Sequence, residues 1–146
     1  MRLRLFIAAI FILCSPSIFA ETNACNDTAK TQLELNFCAA SEFERADKEL
    51  NAVYKEILSR YQNSPAFLKN LKAAQRAWLA FRDAEMKMLY PLSVENYGSS
   101  HPMCHATAEA AITMERVKAL RKWLGPFEEG DICGGSVGSF DEPEGK

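Results

Sequence analysis

The chain has 146 residues, with 17 Lys+Arg against 19 Asp+Glu and a formal net charge of −2. That length suits one domain with one modest core, and the charge balance leaves no basic stripe of the kind that grips nucleic acid. Beyond the first 20 positions charges interrupt every apolar window, so no later segment reads as a membrane span.

The first predicted element is a secretory signal peptide over residues 1–20. Arg2 and Arg4 form a positive n-region, Leu5 to Leu13 is a continuous apolar run, and Cys14-Ser15-Pro16-Ser17-Ile18-Phe19-Ala20 breaks it and ends on a small residue. The run is too short to cross a bilayer, which takes about 20 residues. A lipoprotein signal is disfavoured, because Cys14 follows Leu13 and Cys25 follows Thr22-Asn23-Ala24. Cleavage after Ala20 leaves 15 Lys+Arg against 19 Asp+Glu, a net charge of about −4. The expected compartment is periplasmic or extracellular. Four cysteines survive cleavage: Cys25, Cys38, Cys104 and Cys133. An even number in a small exported chain reads as two bridges, with three connectivities open. No Cys-x-x-Cys occurs, so thioredoxin-like redox chemistry has no support.

The rest of the chain reads as helix, with no strand pattern and no internal repeat. Thr31 to Tyr61 holds no Pro or Gly, and Phe43, Asp47, Leu50, Tyr54, Ile57 and Tyr61 recur at helical spacing on one face. Asn63-Ser64-Pro65 breaks this helix and opens a second, with Ser64 at the N-cap and Pro65 in the first turn. The second helix runs to about Tyr90, before Pro91. It carries two adjacent stripes: Leu68, Leu71, Gln75, Trp78, Arg82, Glu85 and Leu89, and Phe67, Leu71, Ala74, Trp78, Phe81, Glu85 and Met88. Two adjacent faces predict two neighbours. The short connection makes the first two helices antiparallel. A loop over 91–103 leads to a third helix, on which Ala106, Ala110, Thr113, Val117, Leu120 and Leu124 share a face until Gly125-Pro126. Residues 127–146, rich in Gly and acids, read as a mobile tail. The predicted fold is therefore all-α: an antiparallel helical hairpin plus a third helix, disulfide-linked, with the domain over 21–126.

Two groups of residues invite a chemical reading. Asp47, Gln75, Arg82 and Glu85 lie on the helix seam among apolar neighbours. Folding the hairpin at Asn63-Ser64 sets position 47 opposite about position 80, within a turn of Arg82, so an ion pair or network is expected. Its simplest role is to fix helix register. A catalytic pair of Asp47 and Glu85 is disfavoured, since so small a helical chain shows no glycan-binding cleft. The second group is His101-Pro102-Met103-Cys104-His105, whose soft donors would suit copper(I). The simpler reading puts Cys104 in a disulfide and the histidines on an exposed loop, with no metal and no cofactor.

These strings resemble a family. Thr31-Gln32-Leu33-Glu34-Leu35-Asn36-Phe37-Cys38-Ala39 and Ala46-Asp47-Lys48-Glu49-Leu50-Asn51-Ala52-Val53-Tyr54 are similar to the first helix of the LprI-like lysozyme-inhibitor family. Ala74-Gln75-Arg76-Ala77-Trp78-Leu79-Ala80-Phe81-Arg82-Asp83-Ala84-Glu85 looks like its most recognisable motif, and Gly98-Ser99-Ser100, Cys104 and Thr113-Met114-Glu115-Arg116 match later signposts. The resemblance covers about 25–124. It implies a small exported helical protein that binds and inhibits lysozyme, not an enzyme. It also implies a Cys25–Cys38 bridge. The family's usual Cys after the Arg-Asp-Ala-Glu run, partner of the Cys before the third helix, is Met86 here. Cys133 is the obvious replacement partner for Cys104; without that bridge both stay free or cross-link to a partner. That pairing is demanding: a helix from His105 to Leu124 is about 30 Å long, and the nine residues to Cys133 cover that distance only when nearly extended.

The functional expectation is an envelope binding protein that inhibits lysozyme, with Tyr97, Gly98, Ser99, Ser100 and His101 as the candidate partner-binding loop and the acidic tail as a steering element. The alternative is an envelope interaction or stress module with a different protein partner.

Overall fold

A computed structural model of the chain describes Cys25 and residues 27–125. The signal segment, Cys133 and the acidic tail lie outside the described residues.

Three helices carry the fold: α1 (Gln32–Arg60), α2 (Pro65–Leu89) and α3 (His101–Arg121), with a short 3-10 turn at Val94–Asn96 between α2 and α3. No strand occurs among the described residues. α1 starts where a capping box closes its free donors. Thr31 Oγ1 accepts from the Glu34 N–H at 3.2 Å, and Glu34 Oε2 accepts from the N–H groups of Lys30 and Thr31 at 2.6 and 2.9 Å. These bonds, the Lys30 N–H foremost, hold the Glu34 carboxyl below its ordinary pKa. A depressed folded pKa adds stability that is complete above the unfolded value and fades as pH falls below it. Glu34→Gln should therefore flatten the helix-end melting seen on acidification below about pH 4.5, read by amide exchange at Gln32–Leu35.

Ser64 takes the N-cap position of α2 with Pro65 in the first turn, but its hydroxyl makes no capping bond. The chain instead closes through backbone bonds, Ser64 N–H to Tyr61 O at 2.9 Å and Leu68 N–H to Ser64 O at 3.0 Å. α3 begins at His101, earlier than the apolar periodicity suggested, because Pro102 falls in the first turn, where its missing N–H costs nothing. It ends at Arg121, and Lys122 to Leu124 form a turn.

The helices run up, down and up. Gln32 and Asn36 bond to Met103 and Ser99 at one end, while Arg60 and Tyr61 bond to Leu124 and Trp123 at the other. α1 and α3 are therefore parallel, and α2 is antiparallel to both. The closest packing joins α1 to α3, and α2 lies more loosely across them. The reason is side-chain size: Ala39 and Ala46 on α1 and Ala110 on α3 are buried and let the two backbones approach. The buried face of α1 is accordingly Ala46, Leu50, Val53, Ile57 and Tyr61. Asp47 and Tyr54, expected on the seam itself, sit at its edge.

The core gathers toward the α1–α2 turn. Leu50, Val53, Ile57, Tyr61, Leu71, Val117 and Leu120 form one cluster, flanked by Phe67, Trp78 and Trp123. The Tyr61 ring meets Phe67 at 4.5 Å and Phe67 meets Trp123 at 5.2 Å. Tyr61 Oη donates to Trp123 O at 2.9 Å and Arg60 Nη1 to Leu124 O at 2.9 Å, which satisfies carbonyls just past the end of α3. The opposite end is tied by the Cys25–Cys38 disulfide, with Cα atoms 5.7 Å apart across 13 positions. A loop of that size is worth about 3 kcal/mol in the chain-entropy description. Among the described residues Cys104 is free and exposed.

Candidate functional site

Two neighbouring features run from the edge of the core toward the opposite end of the bundle. The first is a polar ladder built on α2. Helical spacing puts Gln75, Trp78 and Arg82 on the face that meets the other helices. The Arg82 guanidinium lies 3.9 Å from Asp47 Oδ1 on α1, 3.7 Å from Asp83 Oδ1 and 3.8 Å from Glu109 Oε1 on α3. Its side chain is only 13% exposed, and Nε and Nη1 are buried with no partner at hydrogen-bond distance. Charge, rather than close hydrogen bonding, holds it. The Phe43 and Trp78 rings flank it at 5.8 and 5.4 Å. Asn51 Nδ2 fixes the Asp47 carboxylate at 2.9 Å.

About two turns further along, Arg116 Nε donates to Gln75 Oε1 at 3.1 Å and the guanidinium lies 5.8 Å from the Trp78 ring. Burial pulls the Arg116 pKa below its ordinary value. Trp78 therefore touches two guanidinium groups, which clip α2 to α3 and α1. Glu85 forms no ion pair among the described residues. The carboxylate that meets Arg82 from a third element is Glu109, which sequence reasoning missed, as it missed Arg116. The signal was present: Glu109, Thr113, Arg116 and Leu120 recur at spacing 4, 3, 4 beside the apolar face. Thr113 Oγ1 is buried without a hydrogen-bond partner, and nothing in the structure explains it.

The second feature is an aromatic–imidazole cluster where the α2–α3 connection folds back. Tyr97 stacks on His101, centroids 4.4 Å apart and planes at 14°. Tyr90 stands edge-on to both, 5.8 Å from Tyr97 and 4.9 Å from His101, and lies 5.3 Å from His105. Tyr97 Oη accepts from the Leu92 N–H at 3.0 Å. His105 Nδ1 is 3.7 Å from Glu109 Oε2, so Glu109 joins this cluster to the ladder. Ser93 Oγ donates to Glu95 Oε1 at 2.6 Å and holds that carboxyl below its ordinary pKa.

The five loop residues thus divide. Tyr97 and His101 are spent on the cluster. Gly98, Ser99 and Ser100 form an exposed arch, fastened to α1 where Asn36 Nδ2 donates to Ser99 O at 3.1 Å. A Cβ added at Gly98 would meet nothing within 4 Å, so the arch is open on that side. Beside it lies a shallow cleft of about 280 Å³, floored by Met86, Tyr90 and His101, with Leu92 and Val94 on its lip and Asp83, Lys87, His105 and Glu109 around it. Leu33, Phe37, Met88, Leu89, Leu92 and Val94, all at this end, are well exposed. Among the described residues no group of three or more His, Cys, Asp and Glu side chains is arranged to hold a metal ion, and no helix is long and apolar enough to cross a membrane.

Comparison with known proteins fits this geometry. The chain is similar to the "Uncharacterized protein R02472" of Rhizobium meliloti (strain 1021), 30% identical over 107 residues that cover 66% of this chain and 76% of the relative. No solved structure matches it. The family model described as "Lysozyme inhibitor LprI" matches residues 24–120, from just before the first disulfide cysteine to the last turn of α3. That match spans two thirds of the chain and all three helices, so the chain belongs to the LprI lysozyme-inhibitor family.

Proposed function

We propose that this protein is exported and binds lysozyme in the cell envelope, lowering its activity. The family match across the whole described bundle carries the reading. The signal-like residues 1–20 and the cysteine usage support export. Lysozymes of the common type are cationic and keep catalytic carboxylates in a cleft. An acidic protein is steered toward such a target, and a small polar arch is the right shape to enter it. Gly98, Ser99 and Ser100 supply that arch, and no residue of this chain is assigned a catalytic role. The ladder of Asp47, Gln75 and Arg82, with Glu109, serves as the frame that holds α3 and the arch in place.

The test is a lytic assay with the purified mature chain against lysozymes of several classes. Dose-dependent loss of peptidoglycan lysis is expected for at least one, and Ser99→Arg should weaken it by about tenfold or more by adding bulk and positive charge to the arch. No inhibition and no binding across all classes would remove the reading. A second reading is a helical module for another envelope partner. Phe81 and Met88, on the second apolar stripe of α2, favour it, because both are exposed where a second neighbour was expected. In that case Phe81→Glu, rather than Ser99→Arg, would abolish partner binding.

A further inference from the structure

The outward face of α2 differs in charge from the chain as a whole. The overall balance is −2, yet Pro65–Leu89 holds five cations, Lys69, Lys72, Arg76, Arg82 and Lys87, against Asp83 and Glu85. By comparison, α1 holds six acids against four cations. The acidic whole-chain balance conceals this segregation. Arg82 turns inward to the ladder and engages Asp83 at 3.7 Å, which offsets the acid nearest the outer face. The other four cations recur at helical spacing and share one side of α2, and Lys69 and Lys87 stand about 27 Å apart along it. All four are exposed, and among the described residues none makes an ion pair, whereas Lys48, Lys118 and Arg121 each meet a glutamate. Beside them run the exposed Ala73, Ala77, Ala80 and Ala84. Across that alanine strip stand Phe81 and Met88, 54% and 65% exposed. Leu92 and Val94, also exposed, line the cleft together with Lys87 and extend the apolar surface past the end of the helix.

We infer that this face of α2 docks, lying flat and reversibly, on an anionic phospholipid surface. Charge complementarity sets the sign of the partner: Lys69, Lys72, Arg76 and Lys87 have no acid of their own to meet and attract a negative surface. A cationic protein is repelled from the same face, so the surface is distinct from the arch and does not rest on the lysozyme reading. The apolar flank selects a bilayer over a soluble polyanion. A phosphate polymer satisfies the cations but leaves Phe81 and Met88 in water. A bilayer takes both: the ring and the thioether enter the headgroup boundary, while the lysine and arginine stems reach back to the lipid phosphates. The alanines between the two flanks add no bulk, so both flanks reach one plane together. Among the described residues no helix is long and apolar enough to cross a membrane, so the contact is peripheral. Four cations with two apolar anchors give binding that salt weakens.

The test is cosedimentation of the purified mature chain with phosphatidylglycerol vesicles, with phosphatidylcholine vesicles as the neutral control. Binding to the anionic vesicles alone, falling as salt rises, is expected. Each cation held near such a surface is worth about fivefold in partitioning, so the Lys72→Gln/Arg76→Gln pair should lower binding about 25-fold. Phe81→Ala should lower it about tenfold at every salt concentration, because it removes apolar burial and no charge. All three side chains are exposed, so helical circular dichroism should be unchanged in both variants. No binding to the anionic vesicles at low salt, equal binding to the neutral vesicles, or wild-type binding by the Lys72/Arg76 variant would overturn the inference. Wild-type binding by Phe81→Ala would overturn it as well, and displacement from the vesicles by soluble polyphosphate would then assign the cations to a phosphate polymer instead.

Discussion

Replacing Tyr61 with alanine should lower the unfolding free energy by about 4 kcal/mol, the largest loss expected for any single truncation in the bundle. Tyr61 is one of the largest fully buried side chains and sits where all three helices converge. Its ring fills the space between α1 and Phe67, and Phe67 in turn supports Trp123. An alanine leaves a ring-sized void and also frees the Trp123 carbonyl from the Tyr61 hydroxyl. Conservative replacement separates the two contributions. Tyr61→Phe keeps the ring and should cost about 1 kcal/mol, the ordinary worth of one hydrogen bond. Urea or thermal unfolding followed by circular dichroism measures both. For a domain of this size 4 kcal/mol corresponds to a fall in Tm of about 20 °C. A Tyr61→Ala protein within a few degrees of wild type would mean that the core does not centre on this residue.

The second large effect is expected at Arg82. Arg82→Ala should cost about 3 kcal/mol, because it leaves Glu109 facing the interior without its cation and strips packing from Phe43 and Trp78. The partners are not equivalent. Glu109 is 18% exposed and Asp47 is 45% exposed, so water screens the Asp47 pair more strongly. Double-mutant cycles should therefore give a larger coupling for Arg82–Glu109 than for Arg82–Asp47. The reverse order would place the anchor of the ladder on α1 rather than α3. Arg82→Lys tests the geometry: an ammonium keeps the charge but loses the planar face between the two rings, so it should recover only part of the stability.

The first two helices were legible in the sequence because the run from Thr31 to Tyr61 holds no Pro or Gly and Ser64-Pro65 and Pro91 mark the boundaries, whereas the start of α3 at His101 was read as loop. The antiparallel hairpin was legible too, and folding it at Asn63-Ser64 is enough to bring position 47 near Arg82. What periodicity could not give was the partner of each face. The spacing Phe43, Asp47, Leu50, Tyr54 is as regular as the observed Ala46, Leu50, Val53, Ile57, and only the size of Ala39 and Ala46 decides between them, by letting α3 come close. Apolar bulk was misleading in the same way: Phe81 and Met88 form a good stripe but remain exposed. Glu109 and Arg116 were overlooked because charges beside an apolar face ordinarily point to water. They turn inward here because α2 presents complementary groups at the same height. The arch was placed correctly as a loop, but the stacking of Tyr97 on His101 depends on how the connection folds back, which no linear pattern records.

The parallel alignment of α1 with α3 has a consequence for how the chain acquires its structure. The residues that join the two helices stand 62 to 71 positions apart. The nearest helix in sequence, α2, offers α1 a looser surface. A growing chain thus passes through a long interval in which Leu50, Val53 and Ile57 have only Leu71 and its α2 neighbours to pack against, and the core is complete only when Val117 and Leu120 arrive. Folding is therefore a last-helix event, slow for an all-helical domain of this length. A chain that ends before His101 has two good helices and an interior open on the side where Val117 and Leu120 belong.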